Sequence, residues 1–248
     1  MCTLTWLAFG HGYELFFNRD EKRTRARALA PTLHSAGNSR WIAPTDPDGG
    51  GTWIGVNTRG VTVALLNGYQ SGDQLARDFE SRGKLVVALL DAASVAEVRA
   101  RIERTDLTRF RSFAIAAFQP AAAPLFAEWD GSRLQARALG DADRPICSSS
   151  LDPIGASESR RKLFANMFSK PGSLDAQALL RFHASHEPER GSLSPCMHRD
   201  DAQTVSLTRV RVSSSRVELA YSPSAPCEGA PSSSLFLDRE PLALGASN

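Results

Sequence analysis

Residues 1–21 have the sequence MCTLTWLAFGHGYELFFNRDE, and this stretch decides how the chain begins to fold. The run Thr3–Phe9 is rich in strand-forming residues, and Tyr13–Asn18 returns after a turn that contains two glycines. A pattern of two such runs around a short glycine-containing turn predicts an antiparallel β-hairpin. The hairpin brings the charged end of its second strand back to the start of its first strand.

The penultimate residue is a candidate nucleophile. Cysteine is small enough for Met1 to be trimmed, which would leave Cys2 with a free α-amine. That amine has a reference pKa of about 7.7–8.0, so it can act as general base for its own thiol. Arg19 would favour the thiolate and Asp20 would hold the amine. The competing interpretations are that Cys2 serves only for packing and that Arg19 and Asp20 form only a surface ion pair.

A second hairpin supplies a candidate for stabilising negative charge in a reaction. Thr52–Val56 and Val61–Leu66 are strand-like, and the turn Asn57-Thr58-Arg59-Gly60 joins them. Asn67 ends the second run, and its side-chain amide could donate to a developing oxyanion. The alternative is that Asn67 only ends a strand.

The rest of the chain alternates between strand and helix patterns. Residues 31–51 are predicted to have little regular structure. Further strands are predicted at Ser112–Phe118, Leu125–Trp129, Arg133–Leu139, Gln203–Val212 and Arg216–Tyr221, and helices at Gln74–Ala93, Val95–Arg104, Ser157–Phe168 and Leu174–His183. This order is compatible with two sheets packed face to face between helical layers, although another α+β arrangement fits the same pattern. We expect a single domain over residues 1–248, with a Ser/Pro-rich tail from about residue 222.

Composition excludes several classes of partner. The formal net charge of the 248-residue chain is only +2, which argues against nucleic-acid binding, and the basic run Arg160-Arg161-Lys162 is interpreted as a solvated face. No stretch reaches the roughly 18 apolar residues of a membrane span. Four cysteines without a C-x-x-C pair indicate neither a disulfide scaffold nor a zinc knuckle. A reducing, cytoplasmic location is expected.

Two histidine-containing patterns are weaker signals. His183 and His186 have helical spacing, but the zincin order is absent, so a capping or surface role is the preferred interpretation. Cys196 and His198 lie in a Pro-Cys-Met-His loop that could meet a soft metal or haem iron. Two residues alone do not make a metal site.

The run Met1-Cys2-Thr3 together with Asn18-Arg19-Asp20-Glu21 resembles the NRDE family, also called the transport and Golgi organisation protein 2 family. The block from Gly51 to Asn67 is similar to that family's next motif. The resemblance implies an Ntn-hydrolase fold, which is a four-layer αββα sandwich of two antiparallel sheets between helical layers. The start is also similar to the penicillin V acylase and bile salt hydrolase group, and this implies site roles for Cys2, Arg19, Asp20 and Asn67.

The sequence departs from that group in three ways, one of which is the tighter spacing of Arg19 and Asp20. Serine stands in Ile146–Asp152, where the group has a second site asparagine, and the distal site arginine could be Arg199 or Arg209. The resemblance implies an N-terminal cysteine amidohydrolase or acyltransferase that acts on an amide or thioester of a small acyl substrate, without a cofactor. The alternative is a non-catalytic carrier of haem or of a lipid such as acyl-CoA on the same fold.

Overall fold

The computed structural model describes residues 2–37, 39–69 and 78–240. These residues form two antiparallel sheets and four α-helices. The strands are β1 Cys2–Phe9, β2 Gly12–Lys22, β3 Leu29–Ala36, β4 Ser39–Thr45, β5 Ile54–Asn57, β6 Thr62–Asn67, β7 Phe113–Phe118, β8 Leu125–Trp129, β9 Leu134–Ala138, β10 Ile146–Ser148, β11 Ala202–Val212, β12 Arg216–Ser222 and β13 Ser233–Asp238. The helices are α1 Arg82–Leu89, α2 Val95–Arg104, α3 Pro153–Met167 and α4 Ala176–Ala184.

The two sheets pack face to face between two layers of helices. One sheet has the order β10-β1-β2-β11-β12-β13, and the other has the order β3 to β9 in sequence. The central core lies between them and includes Leu4, Phe17, Ile54 and Leu219. A second apolar cluster joins the outer face of the β3–β9 sheet to α1 and α2, and a third joins the outer face of the other sheet to α3 and α4. The predicted αββα sandwich is therefore confirmed.

The first hairpin forms as predicted, and its turn tolerates little variation. Phe9 pairs with Gly12 across the turn, and β2 continues to Lys22, four residues beyond the predicted end at Asn18. A Cβ atom added to Gly12 would lie 2.1 Å from the backbone oxygen of Val212. Only glycine therefore lets β11 approach the hairpin this closely.

The prediction of little regular structure over residues 31–51 is wrong, because this segment contributes to β3 and β4. β3 is an edge strand, and most of its side chains are exposed, so it lacks the alternation of a half-buried strand. The pairing of β3 with β4 also shifts between Leu29 and Thr32, which places Pro31 at a bulge. Edges and bulges are where a sheet accepts proline.

The helices agree with the predictions except at some of their starts and ends. α2 has the predicted bounds, whereas α3 begins four residues before the predicted Ser157, because Asp152 caps it by accepting from the backbone N–H of Gly155 and proline follows the cap. Residues 70–77 lie outside the described part, and the rest of the predicted helix Gln74–Ala93 is helical only in α1, which ends at Leu89. None of the helices in the described ranges is long and apolar enough to cross a membrane.

The Ser/Pro-rich segment after residue 222 contains regular structure. A short 3-10 turn spans Pro226–Glu228, and β13 pairs with β12 at the edge of the first sheet. Residues 241–248 lie outside the described part of the chain.

Arg160 is not part of a solvated face, which corrects the interpretation of the basic run in α3. Its side chain is completely buried against the first sheet. The guanidinium donates to Thr3 Oγ1 at 2.7 Å and, over longer distances, to the carbonyls of Ser192 and Leu193. It also lies 3.8 Å from Asp20 Oδ2. The cation therefore joins α3, β1, β2 and the loop before β11.

We expect Arg160→Ala to lower the free energy of unfolding by about 3–5 kcal/mol. The change removes the cation that faces a buried carboxylate, together with its hydrogen bonds. Urea denaturation at neutral pH measures the effect. Arg161→Ala is the matched control, since Arg161 is exposed on the same helix and its loss should cost less than about 0.5 kcal/mol. Equal stability of the two variants would contradict the proposed importance of this contact.

His183 gives the fold a dependence on pH. It is buried on α4, and its Nε2 atom lies 2.8 Å from Thr5 Oγ1 on β1. Burial, helped by the charge of Arg160, lowers the pKa of His183 to about 3. The imidazole thus binds a proton more readily in the unfolded chain, where its pKa is about 6.5. Its contribution to stability is present above pH 6.5 and is lost as the pH falls from there towards 3.

We expect this histidine alone to account for a loss of about 2 kcal/mol between pH 7 and pH 5. Unfolding free energies of wild type and His183→Gln across this range check the expectation, because glutamine cannot take up the proton. The variant should show the smaller loss. His11→Gln, at an exposed turn, is the control and should keep the wild-type dependence. The same pH dependence in His183→Gln and wild type would rule out His183 as its source.

Candidate active site

Cys2 lies at the start of β1, between two neighbouring strands. It is paired with Arg19 on β2 and with Ser148 on β10, and only 5% of its surface is exposed. Its side chain is on the side of the sheet that faces the other sheet, together with Leu4 and Trp6. Cys2 lines a cavity of about 490 Å³ at this end of the sandwich. Met1 lies outside the described residues.

Arg19 lies directly opposite Cys2, on the same face of the sheet. Its Nη2 atom is 3.2 Å from Asp46 Oδ2 and 3.3 Å from Glu21 Oε2. The guanidinium also lies over the indole ring of Trp53, 4.3 Å from the ring centroid. The sequence therefore predicted the proximity of Arg19 to Cys2 correctly, but carboxylates share the positive charge that was expected to favour the thiolate.

Asp20 lies on the opposite face of the sheet, because side chains alternate along a strand. Its Oδ1 atom accepts a 2.6 Å hydrogen bond from Thr204 Oγ1, and its Oδ2 atom faces Arg160. Burial raises the pKa of the Asp20 carboxyl, although Arg160 pulls it down. Asp20 contacts Cys2 through the main chain, since its backbone N–H donates to Cys2 Sγ.

Asn67 ends β6 and lines the same cavity as Cys2 and Arg19. Its side chain hydrogen-bonds the hydroxyl of Tyr69, which also lines the cavity. Three predicted site residues thus share one cavity wall with Tyr69, which sequence reasoning missed. Asp20 reaches the edge of the cavity but directs its carboxylate towards the helices.

Burial raises the pKa of the Cys2 thiol to about 11. The backbone N–H of Asp20 and the charge of Arg19 act in the opposite direction but do not overcome burial. Arg19 therefore acts in the direction expected from the sequence, towards the thiolate, but burial outweighs it. A thiol in this environment would need a base to remove its proton before it could act as a nucleophile.

The other two departures from the acylase group have clear positions in the structure. Ser148 is the neighbour of Cys2 on β10, and Ser149 is buried next to it. Neither candidate for the distal arginine lines the cavity: Arg199 forms an ion pair with Asp201, and Arg209 forms one with Glu14. The buried arginine next to Asp20 is instead Arg160, whose basic neighbours concealed it in the sequence.

Asn18 has a supporting position that sequence reasoning did not assign. Its side-chain amide is buried and donates to the backbone oxygens of His183 and Pro195, both at 2.9 Å. It thereby fastens the end of α4 and the loop before β11 to the strand that carries Arg19 and Asp20. A strand residue with two donors is suited to hold two carbonyls that secondary structure does not satisfy.

A second group of titratable side chains lies outside the cavity. His186, Cys196, His198 and Cys227 place their ligand atoms within 4.8 Å of one another. None of these two histidines and two cysteines lines the cavity around Cys2. In the described part of the chain, that cavity is lined instead by arginine, aspartate, glutamate, lysine and aromatic side chains, among others.

Comparisons with solved structures identify the fold. The chain superimposes on an N-acylethanolamine-hydrolyzing acid amidase orthologue from Caenorhabditis elegans with a TM-score of 0.60 and 13% identity, covering 96% of this chain and all of the other. A mutant conjugated bile acid hydrolase from Clostridium perfringens gives 0.58 and 11%, with both chains fully covered. Penicillin V acylase from Agrobacterium tumefaciens gives 0.55 and 12%, covering 96% of this chain and 86% of the other. At these identities the likeness shows the Ntn-hydrolase fold alone.

Sequence comparisons identify the family. No curated protein sequence matches the chain significantly. The profile described as "Transport and Golgi organisation 2" matches residues 1–171, which include the first hairpin, the second hairpin and the strand next to Cys2. The chain therefore belongs to the Transport and Golgi organisation 2 family.

Proposed function

We propose that this protein is an N-terminal cysteine amidohydrolase or acyltransferase that acts on an amide or thioester of a small acyl substrate. The observation that carries the proposal is the position of Cys2 on the wall of a 490 Å³ cavity, with Arg19 as its strand partner and Asn67 on the same wall. That volume is within the range of about 300–1,000 Å³ that is usual for small-molecule sites.

The α-amine of Cys2, free after removal of Met1, acts as the general base. It takes the proton of the thiol as the sulfur attacks the acyl carbon, and the carbonyl oxygen becomes an oxyanion. When the tetrahedral intermediate collapses, the ammonium returns the proton to the departing amine or thiolate, and the acyl group remains on Cys2 as a thioester. Water releases the acid in hydrolysis, whereas another nucleophile receives the acyl group in transfer.

Asn67 and Arg19 support this step in different ways. The Asn67 amide has two N–H donors, so one can serve Tyr69 while the other faces the oxyanion. Arg19 is held between Asp46, Glu21 and Trp53, which gives it a fixed position beside the sulfur. We assign it a positioning and electrostatic role.

Asp20 acts from the other face of the sheet. Its backbone N–H donates to Cys2 Sγ, and its carboxylate is fixed by Thr204 and Arg160. A fixed carboxylate next to the start of β1 would stabilise the ammonium that forms when the amine takes the thiol proton.

The walls of the cavity suit an acyl group with a polar end. Trp53, Tyr69 and Phe79 supply apolar surface, and Arg82 and Arg111 add positive charge, with Arg111 lying over the ring of Phe79. The alternative carrier, which would bind haem or acyl-CoA without cleaving it, would use the same cavity. It needs no base at Cys2, so the two functions differ in whether an acyl-enzyme forms.

We expect wild-type protein that lacks Met1 to gain the mass of one acyl group when mixed with an excess of an activated acyl thioester. Peptide mapping should locate the acyl group on Cys2, because only this thiol lies next to an α-amine. Cys2→Ala should show no adduct in this peptide. Alanine also permits removal of Met1, so the variant differs from wild type in the sulfur alone.

Cys147→Ala is the matched control, since Cys147 lies on the neighbouring strand as the partner of Thr3. It should acylate at the wild-type rate. Binding of the thioester without an adduct, in protein whose mass confirms the loss of Met1, would favour the carrier over the enzyme.

Asn67→Ala should lower the single-turnover rate of acylation by about 10²–10³, the usual loss for one oxyanion donor, while substrate binding changes little. Asn67→Asp should be at least as damaging, because a carboxylate repels the developing charge. Stopped-flow acylation and equilibrium binding on the same variants measure the two effects. Asn166→Ala, on an exposed face of α3, controls for loss of an amide elsewhere. Weakened binding with an unchanged rate would assign Asn67 to substrate binding only.

A further inference from the structure

Four side chains that the proposed reaction does not use lie together outside the cavity around Cys2. His186 follows α4, Cys196 and His198 lie in the loop before β11, and Cys227 lies in the 3-10 turn after β12. Their nearest ligand atoms all lie within 4.8 Å of one another. Three separate segments of the chain therefore bring two imidazoles and two thiols to one point.

We propose that His186, Cys196, His198 and Cys227 bind one zinc ion in a tetrahedral structural site. Two imidazole nitrogens and two thiolates are a donor set that zinc prefers, whereas calcium and magnesium prefer oxygen ligands. Four protein ligands fill a tetrahedral shell, as in zinc sites that stabilise structure. The two thiolates also balance the charge of the ion.

The distances in the cluster agree with this geometry. With zinc bonds of about 2.3 Å to sulfur and about 2.0–2.1 Å to nitrogen, a sulfur and a nitrogen ligand lie about 3.5–3.6 Å apart in a tetrahedron. The Nε2 atom of His198 lies 3.5 Å from Cys196 Sγ and 3.4 Å from Cys227 Sγ. In the same tetrahedron two sulfur ligands would be about 3.8 Å apart and two nitrogen ligands about 3.3 Å apart, so no pair in the cluster has to close by more than about 1.5 Å.

The surroundings of the histidines fit the same assignment. The Nε2 atom of His186 is buried and has no hydrogen-bond partner within the described part of the chain. Its ring lies 5.1 Å from the ring of His198, with the two planes steeply inclined. Arg190 lies 3.4 Å from Nδ1 of His198, the nitrogen that would carry the proton in a metal-bound imidazole. Arg190 is exposed and can turn into solvent when the metal binds.

The burial of the cluster also fits a bound metal ion better than a set of thiols exposed at the surface. Cys196 is completely buried, and its backbone N–H donates to the oxygen of Ser185, which fixes this loop to the residue before His186. Cys227 is exposed and closes the cluster from the solvent side. A zinc ion could therefore enter past Cys227 and bind to ligands that the fold already brings together.

The site would support the loop that positions Asp20. Met197 lies between two of the ligands, and its backbone N–H donates to Thr204 Oγ1 at 2.8 Å. The same hydroxyl donates to Asp20 Oδ1. Asn18 holds the carbonyl of Pro195, directly before Cys196. Zinc would thus stabilise a loop that contacts β2, the strand of Arg19 and Asp20, on the face opposite the cavity.

The test is metal content of the purified full chain, followed by titration of chelator-treated protein with Co²⁺. We expect about one zinc per chain in wild type and, with cobalt, the strong visible absorption of a tetrahedral thiolate site. Cys227→Ser and His186→Gln should each lose the stoichiometric zinc and weaken cobalt binding by at least about tenfold. Both positions lie at or near the surface, so the variants should fold, and circular dichroism checks this.

Cys147→Ser is the control thiol, because Cys147 lies outside the cluster, and it should keep the full metal content. Bound zinc should also protect Cys196 and Cys227 from alkylation in wild type, which tests the site without any substitution. Three results would overturn the proposal: no stoichiometric zinc or cobalt binding, equal metal content in Cys227→Ser and wild type, or a Cys196–Cys227 disulfide in protein kept under reducing conditions.

Discussion

The register between β1 and β2 is the constraint on which the rest of the structure depends. Side chains along a strand alternate between two faces, so a slip of one residue would turn Cys2 from the cavity towards the helices. The turn limits such a slip, because a Cβ atom at Gly12 would collide with the backbone of Val212. With this register fixed, Arg19 lies opposite Cys2 and the cavity has a thiol and a cation on one wall.

The same alternation divides the NRDE segment between two environments. Arg19 faces the cavity, whereas Asn18 and Asp20 face the helices, where Asn18 holds two carbonyls and Asp20 contacts Thr204 and Arg160. A carboxylate can be buried there because a cation and a hydroxyl compensate for the loss of water. One short segment therefore serves both as cavity wall and as the attachment of the helical layer.

The parts of the fold that could be predicted from sequence are those fixed by local patterns. The first hairpin, the second hairpin and α2 follow from turns, alternation and helical period, which act over a few residues. β3 could not be predicted, because an exposed edge strand leaves no alternating pattern. Arg160 depends on contacts between distant segments, for which spacing in the sequence carries no signal. The spacing of Cys196 and His198 indicated two possible metal ligands, but His186 and Cys227 join them only through the fold. The pairing of Arg19 with Cys2 was predictable, whereas the carboxylates around Arg19 were not.

The burial of Cys2 links processing of the chain to the proposed chemistry. Burial raises the pKa of the Cys2 thiol to about 11, so the protonated form predominates at neutral pH. Such a thiol resists adventitious electrophiles, since the thiolate is the reactive form. It becomes a nucleophile only when a base removes its proton during attack, and an α-amine on the same residue is ideally close. That amine belongs to Cys2 only after Met1 has been removed. In the unprocessed chain this nitrogen belongs to the peptide bond with Met1 and is not a base. The cavity can therefore be fully formed before the nucleophile can act.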